Sequence, residues 1–210
     1  MRQNGEKRRQ AVDTRKKILK TALKLFVEKG FAEVSINDLI QEVGIAKGGF
    51  YHHFKSKDQL INEIIEKVIF PYLDDIINSI DKCQGSAKEK LFHAFEKQSQ
   101  AETFLKTNFH VDNISNRSLI ILMIECIKRY ESMSAHVIEF TEQLLGRIES
   151  IIEEGKRRGE LLNTIDSKSL SLYIVSSLEG ALFIWVMNPK TDLKMLFENN
   201  FQYVWSSIKN

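Results

Sequence analysis

At 210 residues, 43% hydrophobic and 28% charged, the chain has the composition of a water-soluble globular protein able to bury a substantial core. Its longest apolar runs, 119–124 and 181–187, fall far short of the roughly 20 residues of a membrane span, and the opening MRQNGEKRRQ has no apolar segment behind its charges, so neither a span nor a secretory signal is expected. The net charge of +2 hides an asymmetry: residues 1–57 hold 13 Lys and Arg against 6 Asp and Glu (net +7), residues 58–210 hold 17 against 22 (net −5), and a basic head on an acidic body points to a polyanion at the head.

Residues 1–13 are polar with no periodic apolar face and read as a flexible basic arm, with Arg2, Lys7, Arg8 and Arg9 placed for phosphate or minor-groove contacts. Residues 14–29 form an amphipathic helix with Ile18, Ala22, Leu25 and Phe26 inward and Gly30 as its terminator. Ile36, Leu39, Ile40 and Val43 then mark one face of a second helix. Ser35 with Asp38 three residues on is a capping box at its start, and Gly44 supplies a left-handed end. A third short helix follows with Ile45, Phe50 and Phe54 inward and Lys47, Gly48, Gly49, Tyr51, His52 and His53 mostly outward. Two short helices about a glycine turn, with a basic and aromatic outer face, make a helix-turn-helix over 35–54 whose second helix fits the major groove.

At these residues the sequence resembles the TetR family of bacterial transcriptional regulators. The resemblance runs over roughly 14–64, in the helix ending LFVEKGF, the Ser35-Ile36 start, the Val43-Gly44-Ile45 turn, Gly48-x-x-Tyr51-x-x-Phe54 and Lys55-Ser56-Lys57-Asp58. It implies that Ser35, Lys47, Gly48, Gly49, Tyr51, His52 and Lys57 contact DNA. The family positions of Lys47 and the two residues after it face base edges, and those of Tyr51 and His52 touch the backbone. Lysine donates to guanine O6 and N7, while Tyr51 and His52 donate to phosphates and fix register. Two departures stand out. Ala46 replaces the usual Ser or Thr cap, at a cost of roughly 1 kcal/mol. Gly48 and Gly49 each cost about 1 kcal/mol against alanine in a helix and offer no side chain to a base. Bare backbone then permits close approach, and Lys47 carries most of the direct readout.

His52 and His53, adjacent on a helix, point apart and do not share a metal; no metal or cofactor is expected. Cys83 and Cys126 read as reduced hydrophobes. Ser56 with Gln59 is a second capping signature, starting a helix through Leu60, Ile64 and Val68 with Lys57 in its first turn, where amides and a lysine together suit a phosphate. Pro71 falls inside this pattern and predicts a kink or a break. From residue 58 to 210 the chain reads as a helical body, with helices at 87–105, 117–130, 134–158, 168–187 and 193–208, a break near Ser132, and no convincing strand. Glu125 spaces with Ser118, Ile121 and Lys128 and belongs on the exposed stripe.

The fold class expected is therefore all-α: a three-helix head at 14–57 behind the arm at 1–13, followed by a larger body at 58–210. By resemblance the body dimerises through 134–158 and 168–187, where Ser176, Gly180 and Ile184 are candidate contacts. It also implies a small-molecule pocket among the helices at 87–105, 117–130 and 168–187, with Phe92, Phe95, Phe104, Met123, Tyr173 and Phe183 as candidate lining. The chain has no nucleotide-binding glycine loop, no HExxH and no paired Glu-x-x-His, so it does not read as an enzyme. The expectation is a cytoplasmic homodimer on a near-palindromic double-stranded operator, a repressor released by a small, largely apolar effector. The alternative is a ligand-free architectural, nucleoid-associated protein of the same fold.

Overall fold

A computed structural model describes residues 2–112 and 114–210, with side chains from Val12 onward. In chain order the helices are α1 (Arg2–Lys29), α2 (Ile36–Val43), α3 (Lys47–His53), α4 (Lys57–Ile64), a π-helical stretch (Ile65–Ile69), α5 (Phe70–Lys82), α6 (Ala87–Lys97), α7 (Ala101–Phe109), α8 (Asn116–Arg129), α9 (Glu131–Arg157), α10 (Ser167–Met187) and α11 (Leu193–Ile208). No strand occurs among the described residues; a single antiparallel bridge joins Leu161 and Lys209. The fold is all-α, as expected.

The chain divides into two compact units. One takes in the chain up to Pro71 together with Glu102–Cys126; the other holds Tyr72–Ala101 and Ile127–Asn210. The first unit is thus larger than the head expected at 14–57. Leu60, Ile61 and Ile64 of α4 are fully buried with the head's own core, Ile18, Ala22 and Phe26 of α1 among it. The carboxylate of Glu125 on α8 accepts from the Phe31 amide at 3.1 Å. That carboxylate is exposed, as its spacing predicts, yet it is also a link within the unit.

Helix α1 is much longer than the expected 14–29. The stretch read as an arm continues the helix from Arg2, because its Gln, Glu, Lys, Arg and Ala are good helix formers and it has no proline. The side chains of Arg2, Lys7, Arg8 and Arg9 lie outside the described residues. The irregularity expected at Pro71 appears just before it. Proline lacks the N–H that would bond the carbonyl of Lys67 four residues back, and its ring crowds that carbonyl. The chain answers with the π-helical stretch Ile65–Ile69 and runs on into α5 without a break.

The second unit packs α6, α9, α10 and α11 together. Leu91 and Phe95 of α6, Leu144, Ile148 and Ile152 of α9, Ile174 and Leu178 of α10, and Phe201 of α11 are all at or near zero exposure. Phe201 is the ring the others meet, at 5.0 Å from Phe92 and 5.7 Å from Phe95, edge-on in both cases. Gly155 lets α9 approach the start of α6: a methyl there would stand 2.7 Å from the Ala87 Cβ.

Two breaks differ from the sequence reading. The helix expected at 87–105 stops at Lys97, with α7 restarting at Ala101. Ser99 Oγ donates to the Glu96 carbonyl at 2.8 Å, competing with the helix ladder. The buried Gln98 carbonyl accepts instead from the Tyr72 hydroxyl at 3.1 Å. The break expected near Ser132 falls at Tyr130, so α9 begins at Glu131. Helix α10 is long and apolar enough, in length and composition, to cross a membrane, which the short run 181–187 did not indicate. Here it packs against α9 and α11 on one side only.

Candidate nucleic-acid interface

The helix-turn-helix is held by local chemistry at each junction. Ser35 Oγ accepts from the Asp38 amide at 3.2 Å, and Asp38 Oδ2 accepts from the Ser35 amide at 2.8 Å and its hydroxyl at 2.7 Å. These bonds to Ser35 favour the ionised carboxyl of Asp38 and hold it below the usual carboxylate range. The far end of α2 closes on Gly44, whose φ of 73° is left-handed and whose N–H donates to the Ile40 carbonyl at 3.0 Å. The Lys17 ammonium adds a donor to the Val43 carbonyl at 2.8 Å, a cation at the negative end of the helix.

Helix α3 has weaker ends. Ala46 makes no side-chain cap, so the first turn rests on backbone bonds to its carbonyl from Gly49 and Phe50. Position is set from below by Phe50 and Phe54, both fully buried. Above them Lys47, Gly48, Tyr51 and His52 are exposed, and Gly49 and His53 are half-buried. The Tyr51 ring leans edge-on against Phe50, with centroids 5.5 Å apart, so its hydroxyl is presented on a fixed arm. A methyl at Gly48 would meet nothing within 4 Å, and one at Gly49 only the Ile45 Cβ at 3.7 Å. Packing inside the protein therefore does not demand either glycine.

Arg15 and Lys67 brace this surface from behind. Arg15 of α1 donates to the His53 carbonyl, at the last turn of α3, at 2.7 Å. Its guanidinium lies 4.4 Å from the Phe54 ring centre and pairs with both carboxylate oxygens of the buried Glu63. Lys67 completes the group, 2.7 Å from Glu63. Burial pushes the Glu63 carboxyl up, but Arg15 and Lys67 outweigh it and hold it below the ordinary range. His53 is shifted down by burial first, then by the charges of His52 and Arg15, which favours its neutral form. The signal for Arg15 and Lys17 was only their adjacency to the apolar face of α1.

Lys57 also has partners within the head. It was expected to meet a phosphate, and its ammonium donates to the Val34 carbonyl at 2.6 Å and lies 4.2 Å from the Phe31 ring centre. Lys57 thus ties the turn between α1 and α2 to the start of α4. Ser35 likewise spends its hydroxyl on the cap. Lys47, Gly48, Gly49, Tyr51 and His52 remain together on one face of α3.

The six candidate pocket residues are not gathered into one lining within either unit. Phe95 is fully buried in the core of the second unit, Phe92 packs on Phe201, and Phe104 packs on Phe109 in the first unit. Met123 is half-buried on α8. Tyr173 and Phe183 are 61% and 64% exposed, on the uncovered side of α10, and line no interior of their unit. The resemblance and their bulk suggested them as lining, and neither states which row of the helix they occupy. The candidate dimer residues Ser176, Gly180 and Ile184 fall on that same uncovered side, and a methyl at Gly180 would meet nothing within 4 Å. No cluster of three or more His, Cys, Asp and Glu able to hold a metal occurs among the described residues.

Comparison with known proteins bears on both parts of the chain. A family profile described as bacterial regulatory proteins of the tetR family matches residues 18–64, and one described as the YsiA-like protein C-terminal region matches residues 81–207. The regulator YerO of Bacillus subtilis is 26% identical over 192 residues, covering 80% of this chain and 64% of that protein, so the chain spans under two thirds of its length. The repressor KstR2 of Rhodococcus jostii is 25% identical over 152 residues, 70% of this chain and 69% of that one. Among solved structures, a regulator from Saccharomonospora viridis in complex with choline superposes with a TM-score of 0.74 at 16% identity, covering 95% of this chain and 99% of that one. FadR from Bacillus subtilis in complex with stearoyl-CoA superposes with a TM-score of 0.62 at 21% identity, covering 90% and 97%. With a capped helix-turn-helix, a recognition surface on α3 and profile matches over most of its length, the chain belongs to the TetR family of bacterial transcriptional regulators.

Proposed function

We infer that this DNA-binding regulator works as a cytoplasmic homodimeric repressor, held on a near-palindromic operator until a small, largely apolar ligand releases it. The observation that carries the DNA half is the exposed Lys47–Tyr51–His52 face, fixed from below by Phe50 and Phe54 and from behind by Arg15. One such helix reads only a few bases, because Lys47 is the one long donor on the base-facing row and the next two positions are glycine. A second copy doubles the footprint and sets a spacing, with recognition helices about 34–36 Å apart in successive major grooves. Repression and ligand release are supported by what relatives are named for: one is a repressor, and two solved neighbours hold stearoyl-CoA and choline. Those ligands differ in charge and length, so the fold alone does not choose one.

Release requires only that the ligand bind the DNA-free state more tightly, typically by about 1–3 kcal/mol. By reciprocity, operator DNA weakens ligand binding by the same factor. The test is selection from a random duplex pool with the purified full chain. The expected outcome is an inverted repeat bound by two copies. Sequence-independent binding, or a site with no repeat, would favour the architectural alternative.

A further inference from the structure

The first unit contains a cavity of about 460 Å³ between α1, the α4–π junction and residues 108–111. That lies within the roughly 300–1,000 Å³ of pockets that bury small organic ligands. Leu19 and Leu23, one and two turns beyond Arg15 on α1, form an apolar wall with Val68, Phe109 and Val111. The loop that closes it follows α7, where His110 takes a left-handed φ of 51°, rare for a residue with a side chain. Around this wall stand four cations, Arg15, Lys16, Lys20 and Lys67, against one carboxylate, Glu63. An apolar slot ringed by positive charge is complementary to a molecule with a hydrocarbon body and a negative end.

We propose that this cavity binds a single-chain amphiphile with an anionic head, the head between Arg15 and Lys67 and the chain along Leu19, Leu23, Val68 and Phe109. The head competes with Glu63 for the same two cations. Arg15 also donates to the His53 carbonyl at the last turn of α3. A guanidinium drawn toward the ligand leaves that carbonyl, and the recognition helix loses its charged brace. The binding site stands on the cavity alone; its effect on DNA rests on the ligand-released reading above.

The test uses decanoate, decyl phosphate, 1-decanol and decyltrimethylammonium, each titrated into the full chain by calorimetry below its aggregation concentration. The expected result is at least tenfold tighter binding of one or both anions than of the neutral and cationic chains, with the preferred anion identifying the head as carboxylate or phosphate. Equal affinity for all four would overturn the proposal. The variant Lys16→Glu/Lys20→Glu reverses two exposed charges and is expected to weaken anion binding at least tenfold with an unchanged unfolding midpoint. Leu19→Trp fills the wall and is expected to abolish binding. Wild-type affinity in the folded charge variant would overturn the site whether or not Leu19→Trp folds. Repeating the titration with bound operator separates the two readings. Decanoate that binds as expected yet with equal affinity on and off DNA overturns the link through Arg15. A different ligand that releases DNA equally from wild type and charge variant leaves the repressor reading standing and overturns this cavity as its control point.

Discussion

Lys47 and Tyr51 sit one turn apart on the exposed face of α3, and the difference in their roles is testable. Lys47 is a flexible ammonium at the start of the helix, suited to guanine O6 and N7, so Lys47→Ala is expected to cost about 1–3 kcal/mol on the selected site and to relax preference at one base position. Tyr51 has its ring fixed against Phe50 and a hydroxyl suited to phosphate, so Tyr51→Ala is expected to weaken all duplexes alike. Binding selections with both variants decide this; unchanged base preference throughout for Lys47→Ala would refute the assignment. Beneath them, the Arg15–Glu63–Lys67 group makes the stability of the first unit depend on acid. Burial raises the Glu63 carboxyl, but the two cations lower it further, and the net direction is down. A carboxyl depressed in the folded state binds its proton less readily there than in the unfolded chain. Its contribution is therefore complete above the ordinary carboxylate range and is lost as pH falls through that range toward the depressed value. Thermal melts from neutral pH to pH 3 are expected to show this loss, and Glu63→Gln, which has no charge to protonate, is expected to flatten that part of the profile while lowering stability at neutral pH.

Helix ends tell how much of the fold the sequence carried. The Ser35–Asp38 box, the left-handed Gly44 and the uncapped Ala46 are all local: the donors and acceptors lie within four residues of each other, so reading the letters was enough. The break at residues 98–100 was not legible, because the Tyr72 hydroxyl that occupies the Gln98 carbonyl comes from 26 residues away. The brace that Lys57 makes was hidden for the same reason. Its place in a first turn suited a phosphate, and the carbonyl and ring it also meets come from the distant α1–α2 turn. At Pro71 the irregularity takes the form of a π-helical stretch upstream, in the turn where the missing hydrogen bond would have ended. Close approach of two helices is likewise a long-range fact, and Gly155 is where it can be measured. An added methyl would stand 2.7 Å from the Ala87 Cβ and 2.8 Å from Leu161 Cδ1, with one contact on another helix. The Ala87 Cβ cannot rotate away and the Leu161 side chain is itself buried, so Gly155→Ala is expected to destabilise by about 1–3 kcal/mol through overpacking, despite alanine's better helix propensity. Gly180→Ala on α10, where the methyl meets nothing, is the control and is expected to leave the monomer fold unharmed. Denaturant melts of the two variants side by side measure the contrast.

At the scale of the whole molecule, the α10 surface asks for a partner. Its buried row, Ile174, Val175, Leu178, Ala181 and Leu182, faces α9 and α11. Its other row leaves Tyr173, Phe183, Ile184 and Met187 between 50% and 68% exposed, with Ser176 and the open Gly180 between them. Ile138 of α9 is also exposed, at 58%. Contiguous apolar side chains of this size are seldom left to water, and small residues among them let another helix backbone come close. The membrane-length apolarity of α10 has the same source, since a helix that buries one row in its own unit and offers the other row to a partner is apolar all round. A second copy, presenting the same row across a twofold axis, satisfies both sides at once. The variant Phe183→Asp/Ile184→Glu places two carboxylates on that row, and across the axis it sets them against their own copies. It touches no residue of the buried row, so each chain is expected to keep its helicity. Light scattering at micromolar concentration is expected to give twice the chain mass for the wild type and the single chain mass for the variant. Operator binding should fall far more than any one contact on α3 could account for, because two half-sites linked by the dimer become two independent weak ones. A variant that stays dimeric would move the interface off α10, and a monomeric variant that holds the inverted repeat at wild-type affinity would remove dimerisation from the mechanism of DNA recognition.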